Sequence, residues 1–486
     1  MTLQRLCVTA CVLMGSAWLA GCASAPDYVK PDVNVPASWR GEGPWRAAQP
    51  ADAQAKGPWW ERFGDPDLNA LAQQALAGNQ TLAGAQARLV QARATLGINA
   101  ASTMPQVGMG VRAQRLEISA NRPLTNYAAP NWQTLQNDYS PTLAVSYEID
   151  LAGRVKSLVE GATASAQQAR ADFENTRLIL VADLATSYFS LRALDTELDV
   201  LTRSIGLQRS SLDLANHRHD LGVASGLDVA QQQALLDTTL TQVDILKRQR
   251  AVFEHAIATL VGTPAPQFEL PVKVTPMTPP AIPVGIPSDV LERRPDVAAA
   301  ERAMAAANAQ IGVASAAFYP SLIFGAGGGF QSRDFGAVFN GPSSLWSLGV
   351  TATQTLFDGG RIQSNVDFTR AGYELAVANY RRVVLTAMQE VEDGISSVSA
   401  IDRAYTQAQK ATDSNRRVLQ IAQDRYQGGI ANSQDVIIAQ QSQLNSERLA
   451  AQLLGQRLLT SVFLIKALGG DWQASSVAVS ASTPAH

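Results

Sequence analysis

The chain has 486 residues, enough for two or three ordinary domains or for one extended assembly. Its net charge of −3 and its isoelectric point near 5.9 exclude the strongly basic surface that nucleic-acid-binding proteins carry. Charged residues make up only 17% of the chain and the mean hydropathy is −0.03. Ala, Gln, Leu and Ser dominate long stretches, which favours long helices that are polar on one side.

The N-terminus carries an apolar run, residues 6–20, that ends in Leu-Ala-Gly directly before Cys22. This pattern predicts a signal peptide over residues 1–21 and resembles the bacterial lipoprotein signal, in which Cys22 becomes the lipidated first residue of the mature chain. An ordinary secretory signal with an incidental cysteine is the alternative. Because Cys7 and Cys11 lie within the predicted signal, the mature chain would keep no free thiol. We expect no cofactor other than the covalent lipid.

The first repeat is predicted over residues 61–263, after an N-terminal arm of residues 22–60 without periodicity. Two helices open the repeat, and a two-residue period then predicts strands at about residues 106–116 and 140–150. Residues expected on one face of these strands are Val107, Met109, Val111, Leu143, Val145 and Tyr147. No other apolar run reaches the roughly 20 residues of a membrane-spanning helix, so further membrane segments would have to be strands.

A very long helix is predicted next, over residues 155–219, which at ~1.5 Å per residue would extend on the order of 100 Å. Apolar residues recur at steps of four and three from Leu184 to Ile205, so this seam is expected to pack against other helices. The charged residues expected away from the seam are Arg192, Asp195, Asp199 and Arg203. Residues 222–229 are predicted to turn the chain into a returning helix of residues 228–260.

A proline-rich linker of residues 264–287 separates the first repeat from a second one, predicted over residues 288–468. The strands of the second repeat are expected at about residues 321–331 and 346–357. A polar tail of residues 469–486 follows.

Two landmarks recur at one offset along the chain. Asp435 follows Asp228 by 207 residues (435 − 228), and the pair Gly360 and Arg361 follows Gly153 and Arg154 by the same number. The shared offset indicates an internal duplication. We interpret the two Gly-Arg pairs as junctions between a strand pair and a long helix.

Four strands of about ten residues match the length of membrane strands. Four strands cannot close a barrel, and an open sheet edge in lipid would leave backbone groups unpaired at a cost of several kcal/mol each. Two copies of the chain would supply eight strands and three copies twelve, and strand number alone does not choose between them. The predicted fold class is an α+β membrane protein with an outer-membrane β-barrel, long helices and an internal duplication.

The order of these elements, together with local motifs, resembles the outer-membrane factor (TolC-like) family in its lipidated OprM/NodT-type branch. The motifs occupy residues 19–22, 59–66, 222–228, 285–296 and 466–470. The resemblance implies a homotrimer with a twelve-stranded barrel in the cell outer membrane and an α-helical barrel in the periplasm. It also implies efflux: a passive exit duct for small molecules, joined to a periplasmic adaptor protein and an inner-membrane pump of the RND type.

The resemblance further implies a pore gate at the periplasmic helical turns. Asp435 matches a pore-lining Asp of the family archetype, and Tyr426 matches a Tyr that bonds neighbouring helices in its closed state. Ile438 stands where several relatives carry a second acidic residue, so an apolar constriction is expected there. Ala431 stands where the archetype has an Arg, which changes its gating network. Asp228 is the corresponding gate candidate in the first turn.

Helix capping is the alternative reading of both aspartates, with Ser225 and Ser433 as the cap candidates. The two turns are expected to dock the adaptor, and simple helix connection is the alternative for them. The docking candidates are Gly222, Val223, Ala224, Ser225, Gly429, Ile430 and Ala431.

No nucleophile–base pair, phosphate loop or metal-ligand spacing appears in the sequence, so it predicts neither an enzyme nor a metal site. His217 and His219 stand two residues apart, and such residues do not face each other on a helix. An acidic group in the second long helix, Glu390, Glu392 and Asp393, is expected on a solvated or lumen face. A structural coiled-coil lipoprotein and a binding or enzymatic lipoprotein are the competing classes; the strands disfavour the first and the repeat disfavours the second.

Overall fold

The computed structural model describes residues 28–29, 57–117, 119, 135–282 and 293–470. They fall into two compact units: one takes its described residues from Met1–Asp32, Leu89–Ala169 and Ala300–Tyr380, and the other from Val33–Arg88, Arg170–Ala299 and Arg381–His486. The predicted signal peptide, Cys22, most of the N-terminal arm and nearly all of the C-terminal tail lie outside the described residues.

The first repeat contains six main elements. They are α1 (Pro66–Gly78), α2 (Gln80–Ala101), β1 (Gln106–Glu117), β2 (Leu135–Ile149), α3 (Arg154–Asp220) and α4 (Gly226–Val261). A short 3₁₀ turn, Trp59–Phe63, precedes them. The chain therefore enters two long antiparallel helices directly after a strand pair.

The second repeat follows the same order. Its elements are α5 (Pro295–Ser315), β3 (Ser321–Phe330), β4 (Ser344–Thr353), α6 (Arg361–Gln427) and α7 (Ser433–Ala467). Helices α3 and α6 both have 67 residues, and α4 and α7 have 36 and 35, so the duplication has preserved element lengths almost completely. Within the part of the chain that the structure describes, no helix combines the length and hydropathy needed to cross a membrane.

Two strand boundaries differ from the sequence-based expectation. Strand β2 begins at Leu135 because its polar first residues still pair with β1, up to the pair Glu117 and Leu135. Strand β4 ends at Thr353 instead of residue 357 because its ladder with β3 ends at the pair Ser321 and Thr353. In both cases the partner strand, rather than local composition, sets the boundary.

The four strands form one antiparallel sheet in the order β1-β2-β3-β4. The register aligns Met109 with Leu143, Leu143 with Gly328, and Gly328 with Trp346, so these residues share one face. That face carries the predicted apolar residues Val107, Met109, Val111, Leu143, Val145 and Tyr147, together with Phe324, Leu348 and Val350. The predicted alternation is therefore confirmed.

The opposite face of the sheet consists mainly of small and polar residues, with Ile323 as an apolar exception. It includes Gly325, Gly327 and Gly329 in β3 and Ser146 and Thr351 in the flanking strands. The apolar face is uncovered in the single chain, where Trp346 is 81% exposed. Exposed apolar patches of this kind mark surfaces that contact lipid or another protein.

The long helices pack along the predicted seam of α3. Leu184, Tyr188, Leu191 and Leu201 are fully buried. Leu194 and Leu198 pack against a cluster that includes Leu246 of α4 and Leu444 of α7. The seam therefore joins helices of both repeats.

Two charged residues expected away from the seam are instead buried. Asp195 is 0% exposed and Arg192 is nearly as buried. Their guanidinium and carboxylate groups lie 2.9 Å apart, and Arg250 of α4 donates from Nε to Asp195 at 2.7 Å. Buried charges require such pairing because an isolated charge is costly in the protein interior.

The same charged cluster holds the proline-rich linker through its main chain. Arg192 donates to the carbonyl oxygen of Pro271 at 2.8 Å, and the backbone N–H of Lys273 donates to Asp195 at 3.1 Å. The N–H of Leu270 donates to Glu254 at 2.6 Å. The linker is thus fixed by hydrogen bonds to its backbone.

The duplication also preserves the contact that ends each repeat. Asn79 donates to Leu260 O at 3.0 Å in the first repeat, and Arg294 donates to Ala467 O at 3.0 Å in the second. Each contact joins the start of a short helix to the end of a returning helix. The same element ends therefore meet in both repeats, although an amide serves one contact and a guanidinium the other.

Arg294 has a second role that corrects the expectation for Glu390. Besides Ala467, it binds Asp296 at 2.6 and 3.0 Å and Glu390 at 2.6 Å. Glu390 therefore does not simply occupy a solvated face, because it neutralises a buried guanidinium. Both carboxylates raise the pKa of Arg294 and outweigh the lowering effect of burial, which keeps the side chain charged.

A glycine at the end of α4 makes a close backbone contact that can be tested. Gly262 has φ +81°, and a Cβ placed there would lie 2.3 Å from Gly78 O. Gly64 also has a positive φ, +66°, but nothing lies within 4 Å of its Cβ position. We expect Gly262→Ala to destabilise the protein by about 1–3 kcal/mol from strain plus the clash, and Gly64→Ala by clearly less. Thermal unfolding in detergent measures both, and equal losses would contradict the close-contact explanation.

Candidate functional site

Two helical turns, one between α3 and α4 and one between α6 and α7, form the candidate site. Both use the same backbone motif, in which a glycine with φ +74° follows the helix end and the next residue also bonds back to the last turn. The N–H to carbonyl bonds are Gly222 to His219 (2.8 Å), Val223 to Arg218 (2.9 Å), Gly429 to Tyr426 (3.1 Å) and Ile430 to Arg425 (2.9 Å). Every donor and acceptor keeps the 207-residue offset.

The returning helices begin with different caps. Ser225 is the N-cap of α4 and forms a reciprocal capping box with Asp228. In α7 the N-cap is Asn432, whose side-chain oxygen accepts from the N–H of Asp435 at 3.0 Å. The expectation of Ser433 as the cap is therefore wrong. Asn432, not Ser433, lies three residues before Asp435 and matches Ser225 at the 207-residue offset.

The carboxylate of Asp228 is engaged mainly in its own turn, although the Ser433 hydroxyl of the second turn also contributes to its lowered pKa. The Asp228 carboxylate accepts from the backbone N–H and from the hydroxyl of Ser225, both at 3.0 Å. The backbone N–H bond is the main cause of the lowered pKa of Asp228, because it favours the charged carboxylate. For this residue, helix capping is the arrangement found.

Asp435 is not committed in this way. Only its backbone N–H takes part in the cap, and its side chain is exposed. Ile438, one turn later, is 55% exposed, whereas Val436 between them is buried against Leu419 and Ala439. The second turn therefore presents a carboxylate and an apolar side chain while an apolar cluster anchors it from behind.

Tyr426 and Arg218 connect the two turns to each other. The Arg218 guanidinium lies 4.3 Å from the centre of the Tyr426 ring and donates to Tyr426 O at 3.2 Å from both terminal nitrogens. A third bond reaches Gln427 O at 3.4 Å. Arg218 was not singled out from the sequence, although its 207-residue counterpart is also an arginine, Arg425, and this repetition was the available signal.

Among the docking candidates, Val223 and Ile430 are held by main-chain bonds, which leaves their side chains available for contact, whereas the Ser225 side chain is engaged in its capping box. Val223 and Ile430 are largely exposed in equivalent positions. The first turn is the more apolar of the two, because Leu221 and Leu227 are exposed where the second has Gly428 and Gln434. The two turns therefore have the same backbone conformation but expose different side chains.

The two strand–helix junctions also differ in their side chains. At the first, Gly153 has φ +73° and Arg154 donates to both carboxylate oxygens of Glu148, at 2.8 and 2.5 Å. At the second, Gly360 has φ +90°, and Asp358 accepts from the N–H groups of Gly360 and Ile362, the residues on either side of Arg361, at 2.9 and 2.8 Å. An aspartate accepts from helix N–H groups at both junctions, since Asp150 accepts from the N–H of Lys156 at 2.8 Å in the first. The ion pair of Arg154 with Glu148 is the addition that distinguishes the first junction.

The described residues contain no group of three or more His, Cys, Asp or Glu side chains placed to bind a metal ion. His219 is engaged in the first turn, where its Nδ1 lies 3.0 Å from Ala224 O. The tautomer that carries hydrogen on Nδ1 donates to that carbonyl.

Comparison with known proteins agrees with this architecture. The family model for outer membrane efflux proteins matches residues 71–263 and 286–470. The toluene efflux pump outer membrane protein TtgF of Pseudomonas putida is 32% identical over 94% of this chain and 95% of its own length. The pyoverdine export outer membrane protein OpmQ of Pseudomonas aeruginosa is 30% identical over 96% of both chains. The outer-membrane channel OprN superposes with a TM-score of 0.82 at 28% identity, covering 93% of this chain and all of that one.

The chain belongs to the outer membrane efflux protein family. It is the outer-membrane component of an efflux system, with the four-stranded sheet and long helices of the family's channels. The two segments that match the family model correspond to the two repeats.

The difference between the two caps gives a pH prediction. Because the pKa of Asp228 is lowered below its ordinary value of 3.8, the capping box is complete above that value and is lost as pH falls through the lower, folded-state pKa. We expect the start of α4 to lose hydrogen-exchange protection on acidification from pH 5 to well below the ordinary carboxyl pKa of 3.8, after correction for intrinsic rates. The start of α7, capped by the non-titrating Asn432, is the internal control. Equal losses at both turns would contradict the prediction.

Proposed function

We propose that three copies of the chain assemble head to tail into a closed outer-membrane duct for small molecules. The observation that carries the proposal is the sheet, because β1 and β4 lie at its two edges and neither has an outer partner within the described chain. Since the four strands alternate in direction, β4 of one copy can pair antiparallel with β1 of the next. Closure of the sheets into a barrel would give the backbone groups of the edge strands hydrogen-bond partners, which lipid cannot supply.

The two faces of the sheet support this orientation. The exposed apolar face suits contact with lipid, and the small, polar face suits the lining of an aqueous passage. Two copies would give eight strands, an interior that side chains nearly fill. Twelve strands leave a wider lumen, so conduction favours three copies over two.

We propose that the duct is gated at its helical turns, in the periplasm. The exposed Asp435 would place three carboxylates around the threefold axis, and Ile438 would add an apolar constriction one turn later. Tyr426 would contribute through its link with Arg218. Asp228, engaged in its capping box, is a structural residue of the first turn in this scheme.

The turns would also receive a periplasmic adaptor protein, which connects the duct to an inner-membrane pump of the RND type. The exposed side chains of Val223 and Ile430 support this role, because the turn bonds at these residues use only their main chain. The more apolar first turn offers the larger contact for a partner. The pump supplies the energy, so the duct conducts passively and has no catalytic role.

The cargo is not set by the duct in this proposal. Relatives of nearly equal similarity, at 32% and 30% identity, are named for toluene efflux and for pyoverdine export. A duct that serves different cargoes at similar sequence distance leaves selection to the pump.

We propose that Cys22 carries a covalent lipid and that this lipid is an additional anchor, not the main one. In the Cys22→Ser variant, the protein should remain in the outer-membrane fraction and require detergent for extraction, because the strands still cross the bilayer. Light scattering in detergent should give the mass of three chains. Release as a monomer by a salt wash would contradict both the barrel and the trimer.

The lumen role of Asp435 can be tested against its counterpart in the first turn. Asp435→Asn should lower the cation preference of single channels in planar bilayers, because it removes three carboxylates from the constriction. Asp228→Asn is the matched control and should leave ion preference unchanged. Identical reversal potentials for Asp435→Asn and the wild type would remove Asp435 from the pore.

A further inference from the structure

The proline-rich linker lies on an ion pair between α3 and α4. Asp195 of α3 accepts from Arg250 of α4 at 2.7 Å, and both side chains also contact the linker backbone. Arg250 donates to the carbonyl oxygen of Leu270 at 2.5 Å, and Asp195 accepts from the N–H of Lys273 at 3.1 Å. This ion pair therefore holds the linker through main-chain groups.

The second repeat keeps the same ion pair. Asp402 of α6 and Arg457 of α7 stand 207 residues after the first pair, and the guanidinium donates to the carboxylate at 2.5 Å. Within the described chain, Asp402 is the only hydrogen-bond partner of the Arg457 guanidinium, which also lies 4.6 Å from the centre of the Tyr405 ring. The Asp195 side chain is 0% exposed, whereas that of Asp402 is 56% exposed. The second pair therefore lacks the cover that the linker gives to the first.

The chain has a segment at the right distance to supply this cover. The linker follows Gly262, just beyond α4, and the C-terminal tail follows Gly469, just beyond α7. These glycines are 207 residues apart and have φ values of +81° and +85°. Lys273 stands 11 residues after Gly262 (273 − 262), and Ser480, outside the described residues, stands 11 residues after Gly469 (480 − 469). The tail thus leaves its helix as the linker does and is long enough to reach the second ion pair.

The tail also resembles the linker at the positions that would lie on the ion pair. Residues 270–274 read Leu-Pro-Val-Lys-Val, and residues 477–481 read Val-Ala-Val-Ser-Ala. Both have apolar residues at alternate positions, and valine favours extended backbone. The tail segment carries no charged side chain, so it would meet the ion pair through its main chain, as the linker does.

We propose that residues 477–480 of the C-terminal tail dock on the ion pair of Asp402 and Arg457 in the same chain. Arg457 donates to the carbonyl oxygen of Val477, and Asp402 accepts from the N–H of Ser480. The tail then joins α6 to the final part of α7, as the linker joins α3 to the final part of α4. This contact lies within one chain and does not depend on the trimer proposed above.

The tail contact has fewer bonds than the linker contact. Arg192 and Glu254 each add one further bond to the linker backbone in the first repeat. The residues at the 207-residue offset are Ser399 and Ser461, which carry neither a guanidinium nor a carboxylate. Two of the four main-chain bonds recur, so the tail is held more weakly than the linker.

Cross-linking of the full-length protein in outer membranes tests the docking and its register. The variant Ser399→Cys/Ala478→Cys places thiols at positions whose equivalents in the first repeat are joined by the Arg192 side chain. A bifunctional thiol reagent about as long as that side chain should link the two cysteines within one chain. Mass spectrometry of the digested protein identifies the linked peptides and measures the linked fraction.

The matched control is Ser399→Cys/Ser482→Cys, in which one thiol is moved four residues along the tail, ~13 Å in extended backbone. A docked tail should give several-fold more linked product with Ala478→Cys than with Ser482→Cys. Equal linking of the two variants would overturn the proposal, because the tail would then have no fixed register. Links formed mainly between chains would overturn docking on the same chain.

Thermal unfolding in detergent provides a second measurement that does not depend on the reach of the reagent. Asp402→Asn should lower the melting temperature more in the full-length protein than in one that lacks residues 477–486, because only the former loses the tail contact. Asp413→Asn alters an exposed ion pair on the same helix and should cause the same shift in both proteins. Equal shifts from Asp402→Asn in the two proteins would overturn the proposal.

Discussion

The backbone groups at the two free edges of the sheet are the constraint on which the rest of the molecule depends. A single chain supplies only four strands, and its outermost strands β1 and β4 have no partner within the described residues. Open edges of this kind are too costly in lipid, and this cost is the basis for proposing that several copies of the chain assemble. The proposed assembly accounts for the exposed apolar face and for the opposite face of small residues.

The two repeats keep the same backbone conformation at their turns, but the side chains at equivalent positions differ. Both turns keep the same positive-φ glycine and the same carbonyl acceptors, because any other arrangement would leave helix ends unsatisfied. The caps differ, with Ser225 in one turn and Asn432 in the other. This difference ties Asp228 into its own turn and leaves Asp435 free, so one fold supplies both a structural turn and a gate candidate.

Periodic features could be predicted from the sequence and charge partners could not. The alternation of Met109 and Leu143 with their neighbours follows from the period of a strand, which is a local property. The burial of Asp195 depends on Arg250, which is 55 residues away, and the role of Glu390 depends on Arg294, which is 96 residues away. Spacing along the chain carries no information about such pairs. The Arg218 contact was hidden for the same reason, although the repeat offered a signal.

The linker between the repeats is held mainly by hydrogen bonds to its main chain, so its backbone path depends little on which side chains it carries. The buried cluster around Arg192 and Asp195 recognises the carbonyl of Pro271 and the N–H of Lys273, and Glu254 receives the N–H of Leu270. These are groups that nearly every amino acid provides. Most side chains of the linker can therefore change without moving its backbone, apart from Lys273, whose Nζ also donates to Asp67 at 2.7 Å. The linker therefore offers protein engineers a place for tags or epitopes.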